Sequence, residues 1–185
     1  MHTVAVIVGS TRKDSINRKL AEALRRLAAD KLDLRLVRID DLPLFNQDDE
    51  NESLPSVTRF KQEVQDANAV LFVTPEHNRS IPAALKNAFD WGSRPRGANV
   101  WINKPAAIIG ASRGRLSTAV AQQHLRSIVS GHFSAVLGSP EAFIQYTDDL
   151  IGNDGDIAKD DARAFLQRFV DNFAKLISAL VEAGG

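Results

Sequence analysis

The chain contains no cysteine among its 185 residues. That excludes a disulfide, a thiolate metal site and any redox chemistry carried by a protein thiol. If electrons pass through this protein, a bound cofactor must carry them. Charge of one sign is also missing: Lys plus Arg is 23 and Asp plus Glu is 23, a formal net charge of zero. A general nucleic-acid binder would show a basic excess, so none is expected as a partner. No apolar run approaches the roughly 20 residues needed to span a bilayer. The first residues, Met1-His-Thr-Val, lead straight into a strand pattern with no basic segment before a long apolar one. The expectation is no signal peptide and a cytoplasmic protein. The four histidines, His2, His77, His124 and His132, show no metal-ligand spacing, and no metal site is expected.

What is present is ordinary for a globular chain: 44% hydrophobic and 25% charged residues. The length suits one domain, 1–185, with a sizeable core. Val4 to Val8 is β-branched apart from one alanine and lacks polar alternation, which reads as a strand buried on both faces. Ala69 to Val73 and Pro105 to Ile109 read the same way. Leu32 to Ile39 alternates and suggests a strand nearer an edge, and Phe133 to Leu137 is expected as the last strand. Between them, helical spacing appears at Ile16, Leu20, Ala23, Leu24 and Leu27, and again at Val57, Phe60, Val64 and Ala67. It recurs after Pro82 at Ala84, Leu85, Ala88, Phe89 and Trp91. A fourth set is Leu116, Val120, His124, Leu125 and Ile128, which predicts a partly buried His124. Ala162 to Leu180 holds the longest helical face.

Five strands alternating with five helices predict an α/β three-layer sandwich, with helices on both faces of a parallel sheet. The strand order 2-1-3-4-5 of flavodoxin-like folds is the natural choice, with a ligand beyond the carboxyl ends of the strands. Three loops meet there: Gly9 to Asn17, Pro75 to Ile81 and Gly110 to Arg115. A fourth loop, Asp40 to Pro55, holds six carboxylates and reads as a solvated acidic loop, because the calcium-loop pattern is absent.

In the first loop Ser10, Thr11, Ser15 and Asn17 offer hydrogen-bond donors and Arg12 a bidentate guanidinium, ahead of a helix N-terminus. That arrangement fits a terminal phosphate. Neither a Walker pattern nor Gly-x-Gly-x-x-Gly is present, which disfavours an NTPase and a Rossmann dinucleotide site. Pro75-Glu76-His77-Asn78 sits between stiffening prolines and suits the edge of a planar ring. Ser112-Arg113-Gly114 allows close approach of a flat ligand. No nucleophile elbow is present, in keeping with chemistry carried by a cofactor.

These motifs resemble the NADPH-dependent FMN reductase family, the flavodoxin-like group that includes soluble quinone and chromate reductases. Gly9-Ser10-x-Arg12-x-x-Ser15-x-Asn17 is similar to its FMN-phosphate loop. The run from Pro75 to Trp91 is similar to its second signature, and Gly110 to Gly114 and Ser139-Pro140-Glu141 fall where the family has theirs. The resemblance implies that Ser10, Arg12, Ser15 and Asn17 hold the FMN phosphate. It implies that Pro75, Glu76, His77 and Asn78 line the isoalloxazine, and that Ser112, Arg113 and Gly114 flank it. His77 departs from the family's usual tyrosine. Also implied are NADPH or NADH as cosubstrate and a quinone, free flavin, azo compound or chromate-like acceptor. A homodimer or homotetramer is expected with the flavin near the interface, where Phe89, Trp91 and Ser93 to Asn103 are candidate contacts. The alternatives are a flavodoxin-like electron carrier without its own NAD(P)H site, and a non-redox phosphate-binding module.

Overall fold

A computed structural model describes residues 1–183. In chain order its elements are β1 (His2–Val8), α1 (Ile16–Leu27), β2 (Leu32–Val37), α2 (Pro55–Gln65), β3 (Ala69–Val73) and α3 (Ala83–Ser93). They continue with β4 (Pro105–Ser112), α4 (Ala119–Val129), β5 (Ala135–Val136), β6 (Ala142–Gln145) and α5 (Asp160–Ala183). A one-turn 3-10 helix, Gln47–Asp49, interrupts the acidic loop. The sheet is parallel in the order β2-β1-β3-β4-β5, with β6 also paired to β4. This is the expected flavodoxin-like architecture.

Pleating sends alternate side chains of each central strand to opposite faces. From β1, Val4, Val6 and Val8 join Leu20 and Leu24 of α1 and Leu166, Phe169 and Phe173 of α5 in one core. Ala5 and Ile7 join Val57 and Phe60 of α2, Leu85 and Phe89 of α3, and Leu125 of α4 in the other. Both faces being covered explains why β1, β3 and β4 read as unbroken apolar runs. Full burial of a side chain as large as Phe60 or Leu24 contributes about 1.5–3 kcal/mol.

The last strand differs from the expectation. Rather than one run from Phe133 to Leu137, the outer edge consists of two short strands on the same side of β4. Ala135–Val136 pairs with Pro105 and Ala106, and Ala142–Gln145 pairs with Ile109 to Ser112. The gap holds Gly138 and Pro140, and proline has no N–H to donate to a ladder. Pairing with β6 also carries β4 past Gly110 to Ser112. Leu116 precedes α4 and is 69% exposed. His124 lies beside the buried Ala121–Leu125 face of α4 and is exposed, not partly buried. Phe89 and Trp91 are core residues at 3% and 2% exposure, so neither can be a subunit contact. Trp91 donates its indole N–H to the Pro43 carbonyl at 2.8 Å and packs edge-on against Phe45. That pins the acidic loop, with Leu42 and Phe45 turned inward and Leu44 outward.

Candidate functional site

The three loops expected to form a site do meet at the carboxyl ends of β1, β3 and β4. Each is positioned by groups from the others. Gly9 donates its N–H to the Val73 carbonyl at 2.9 Å, and Thr74 donates its N–H to the Ile109 carbonyl at 2.9 Å. Gly110 has no room for a side chain: a Cβ there would stand 2.1 Å from the Thr74 carbonyl oxygen and 2.6 Å from Thr118 Oγ1.

In the first loop Ser10 and Ser15 are buried and Arg12 is exposed. Ser15 caps α1, its Oγ accepting the Arg18 N–H at 3.2 Å while its carbonyl accepts the Lys19 N–H at 3.0 Å. The earlier amides of the first turn remain unsatisfied within the helix and point out of its end. Ser10 Oγ accepts the Arg12 N–H at 3.4 Å, which leaves its own O–H free to donate. Hydroxyl donors, a helix end and an exposed guanidinium suit a phosphomonoester.

Asn17 does something the sequence did not show. It is 1% exposed. Its Nδ2 donates to the Ala111 carbonyl at 2.9 Å, and its Oδ1 accepts the Ala111 N–H at 2.8 Å. The cause lies in the ladder. β3 leaves the sheet at Thr74-Pro75, so Ala111, two residues beyond Ile109 on β4, has no strand partner on that side. A side-chain amide has the same donor–acceptor pair as a peptide and completes the ladder. No local sequence signal connects positions 17 and 111.

The second loop is a tight hairpin turn. His77 and Ser80 exchange both backbone hydrogen bonds at 3.0 and 2.9 Å, and Asn78 and Arg79 have φ of 51° and 61°. Two positive-φ residues are the signature of a type I′ turn, and asparagine tolerates that region best among residues with a side chain. The turn exposes His77, Asn78 and Arg79. Two side-chain contacts fix it to α4. Glu76 Oε2 accepts the Ala121 N–H in that helix's first turn at 3.0 Å, and Ser80 Oγ lies 2.7 Å from His124 Nδ1. Glu76 therefore fixes the loop to the start of α4, and Ser80 fixes it to His124 on the same helix.

In the third loop Ser112 Oγ accepts the Gly114 N–H at 3.2 Å. Arg113 pairs with Asp148 at 2.5 Å and lies 5.6 Å from the centre of the Tyr146 ring. The bonded guanidinium holds the Asp148 carboxyl below the usual carboxylate range. Tyr146 and Asp148 lie just beyond β6, a four-residue strand with no sequence signal of its own, so nothing in the sequence points to them.

Two cavities flank the first loop. One, of about 240 Å³, lies between Ser10–Thr11 and the end of β2 at Arg38–Asp40. The other, of about 540 Å³, lies between α1 and the segment after β6. The residues present fit FMN: phosphate donors in the first loop, and two exposed loop surfaces beside it for a planar ring.

Comparison with known proteins gives the family of the chain. Residues 2–149 match the NADPH-dependent FMN reductase family, and the chain belongs to that family of oxidoreductases. Among curated relatives, a 2-hydroxy-1,4-benzoquinone reductase from a Burkholderia species is 46% identical over 172 residues, 92% of this chain and 93% of that protein. A quinone reductase from Pseudomonas putida is 45% identical over 178 residues, 96% of this chain and 95% of that protein. A solved flavoenzyme NAD(P)H:(acceptor) oxidoreductase from Paracoccus denitrificans superposes with a TM-score of 0.93 at 42% identity, covering 97% of this chain and 98% of that one. The names of these relatives lend no support to an electron carrier.

Proposed function

We propose that the chain is one FMN-binding domain that takes a hydride from NAD(P)H and delivers the electron pair to a small-molecule acceptor, a quinone in the first instance. The balance is NAD(P)H plus a proton plus quinone giving NAD(P)⁺ plus hydroquinone. When bound, FMN supplies the two-electron relay. The observation that carries this reading is the interlocking of three loops around a helix end at the sheet's switch point. The quinone is supported by the names of the relatives quoted above.

In this reading Ser10, Arg12, Ser15 and the first-turn amides of α1 hold the phosphate, and Asn17 fixes that loop to β4. Pro75, Glu76, His77 and Asn78 form the edge of the ring site, and Ser112, Arg113 and Gly114 its other side. No acid–base pair is needed, since the proton on the hydroquinone can come from water. Free flavin, azo compounds and chromate-like anions are further acceptor classes. The protein acts in the cytoplasm as a homodimer or homotetramer, with the flavin near the interface. Exposed Leu116 beside the third loop supports a partner surface there.

The test is anaerobic mixing of FMN-loaded protein with NADPH or NADH, followed by a benzoquinone. Loss of the visible flavin band and its return on adding the quinone are expected. A flavin that neither nucleotide bleaches would refute the proposal.

A further inference from the structure

The larger cavity beside the first loop has no role in the reading so far. Its volume, about 540 Å³, lies within the roughly 300–1,000 Å³ of small-molecule sites. One wall is the start of α1, with Lys13, Ser15 and Lys19; the other is the segment after β6, with Tyr146, Asp148 and Asn153. Ser15 belongs to the phosphate loop, and Asp148 is bonded to Arg113 of the third loop. The cavity thus adjoins the flavin site along two of its loops. The second loop contributes nothing to its lining, so it is a neighbouring space and not the ring site itself.

Its charges are unevenly satisfied. Asp148 is taken by Arg113, and Glu22 by Arg25 at 2.8 Å. Arg26 is bound to the Asp154 carbonyl and lies 3.7 Å from Asp156. Among the described residues no carboxylate lies within ion-pair distance of Lys13, Arg18 or Lys19. Asp14 is the one rim carboxylate left without a cationic partner. Lys19 and Arg18 act on Asp148 and Asp40 from beyond ion-pair distance, so all three cations keep hydrogen-bonding capacity that makes the rim attractive to a multiply charged anion. Asn153 adds an exposed amide suited to the edge of a purine.

We infer that this cavity receives the adenosine end of the nicotinamide cosubstrate, and that Lys13 and Lys19 pair with the 2′-phosphate that NADPH has and NADH lacks. The inference rests on the NAD(P)H-dependent activity proposed above. The nicotinamide has to reach the ring site between the second and third loops. The rest of an extended dinucleotide must then leave over one of its borders. The border at Arg113–Asp148 opens on the cavity, whose unpaired lysines stand where a dianion gains most. NADH offers those lysines nothing at that position, so they act as specificity determinants for NADPH.

The experiment uses FMN-loaded protein, so that the flavin-phosphate loop is filled. Binding of 2′,5′-ADP and of 5′-AMP is measured by calorimetry for the wild type, Lys19→Gln and Lys13→Gln/Lys19→Gln. Wild type should bind 2′,5′-ADP about tenfold or more tightly than 5′-AMP, the worth of a charge-assisted contact or two. That preference should fall towards unity in the double variant, with an intermediate value for Lys19→Gln. Steady-state kinetics should show kcat/KM for NADPH falling about tenfold or more while that for NADH changes less than about twofold. Equal binding of the two nucleotides by the wild type, or a preference that survives both substitutions, overturns the inference. The two proposals fail separately. A flavin bleached by neither nucleotide, with the lysine-dependent preference intact, removes the activity and keeps the subsite. A flavin bleached by both, with no 2′-phosphate preference, removes the subsite and keeps the activity.

Discussion

Replacing Asn17 with alanine should destabilise the protein before any ligand is considered. The substitution removes two hydrogen bonds of normal length, 2.9 and 2.8 Å, from a side chain that is 1% exposed. Each contributes about 1 kcal/mol net, and each backbone group of Ala111 left without a partner costs about 1 kcal/mol or more. The total is about 2–4 kcal/mol, lowered towards the smaller figure if a water enters the space. For a domain of this size that is a fall in Tm of roughly 4–16 °C. Asn17→Asp separates the two halves of the contact. An ionised carboxylate can accept the Ala111 N–H but cannot donate to the Ala111 carbonyl, and it places a charge at a buried position. It should be no better than alanine at neutral pH and should recover part of the loss when acid protonates it. The assay is urea unfolding of FMN-free protein, with FMN affinity measured in parallel. An FMN-free Asn17→Ala protein within about 0.5 kcal/mol of wild type, an ordinary surface value, would refute the ladder argument. A loss confined to FMN affinity would make Asn17 a direct phosphate ligand instead.

Three other outcomes follow from the same geometry. Arg12→Ala should weaken FMN binding by about 1.5–3 kcal/mol, the worth of a charged hydrogen bond, and leave the stability of the FMN-free protein unchanged. Equilibrium titration with FMN checks this, and wild-type affinity would remove Arg12 from the site. Gly110→Ala should cost about 1–3 kcal/mol or more, because the new methyl meets a backbone carbonyl at 2.1 Å rather than a side chain that can swing away. The second and third loops must separate to admit it, so FMN affinity should fall with stability in the same unfolding and titration experiments. Burial lowers the pKa of Lys104, whose ammonium sits on the Gln65 and Ala67 carbonyls at the end of α2. The folded state therefore holds fewer protons than the unfolded state between the lowered value and 10.5, and stability rises with pH across that window. Lys104→Met should make that rise shallower in unfolding measurements across alkaline pH, with partly buried Lys61 keeping its own share, and an unchanged slope would show that the burial is immaterial.

The fold was readable wherever burial on two faces writes itself into composition. Val4 to Val8 and Ala69 to Val73 admit no polar residue because helices cover both sides. The broken edge was not readable, because β5 is two residues long and Ala142–Gln145 follows a Gly-Ser-Pro segment that looks like a loop. A strand that short carries no period. His124 differs from the expectation for a related reason: α4 turns Ala121, Gln122, Leu125 and Val129 to the core, which leaves His124 just outside the buried face, where it meets Ser80.

The site was legible as composition and illegible as connection. Ser10, Arg12 and Ser15 stand out because donors cluster after a strand and before a helix. Asn17 stands out for the same reason, yet its amide is spent on a residue 94 positions away. The sheet's geometry explains why such a contact belongs here. A ligand site at a switch point exists because neighbouring strands end and their chains diverge, and where a strand ends its neighbour loses ladder partners. Something must pair those groups without filling the space the ligand needs. A side-chain amide from the phosphate-loop helix does this for Ala111, and a carboxylate from the ring loop does it for the first turn of α4. The residues that make the cavity habitable are therefore the residues that finish the fold, and loss of either contact should lower stability and cofactor affinity together.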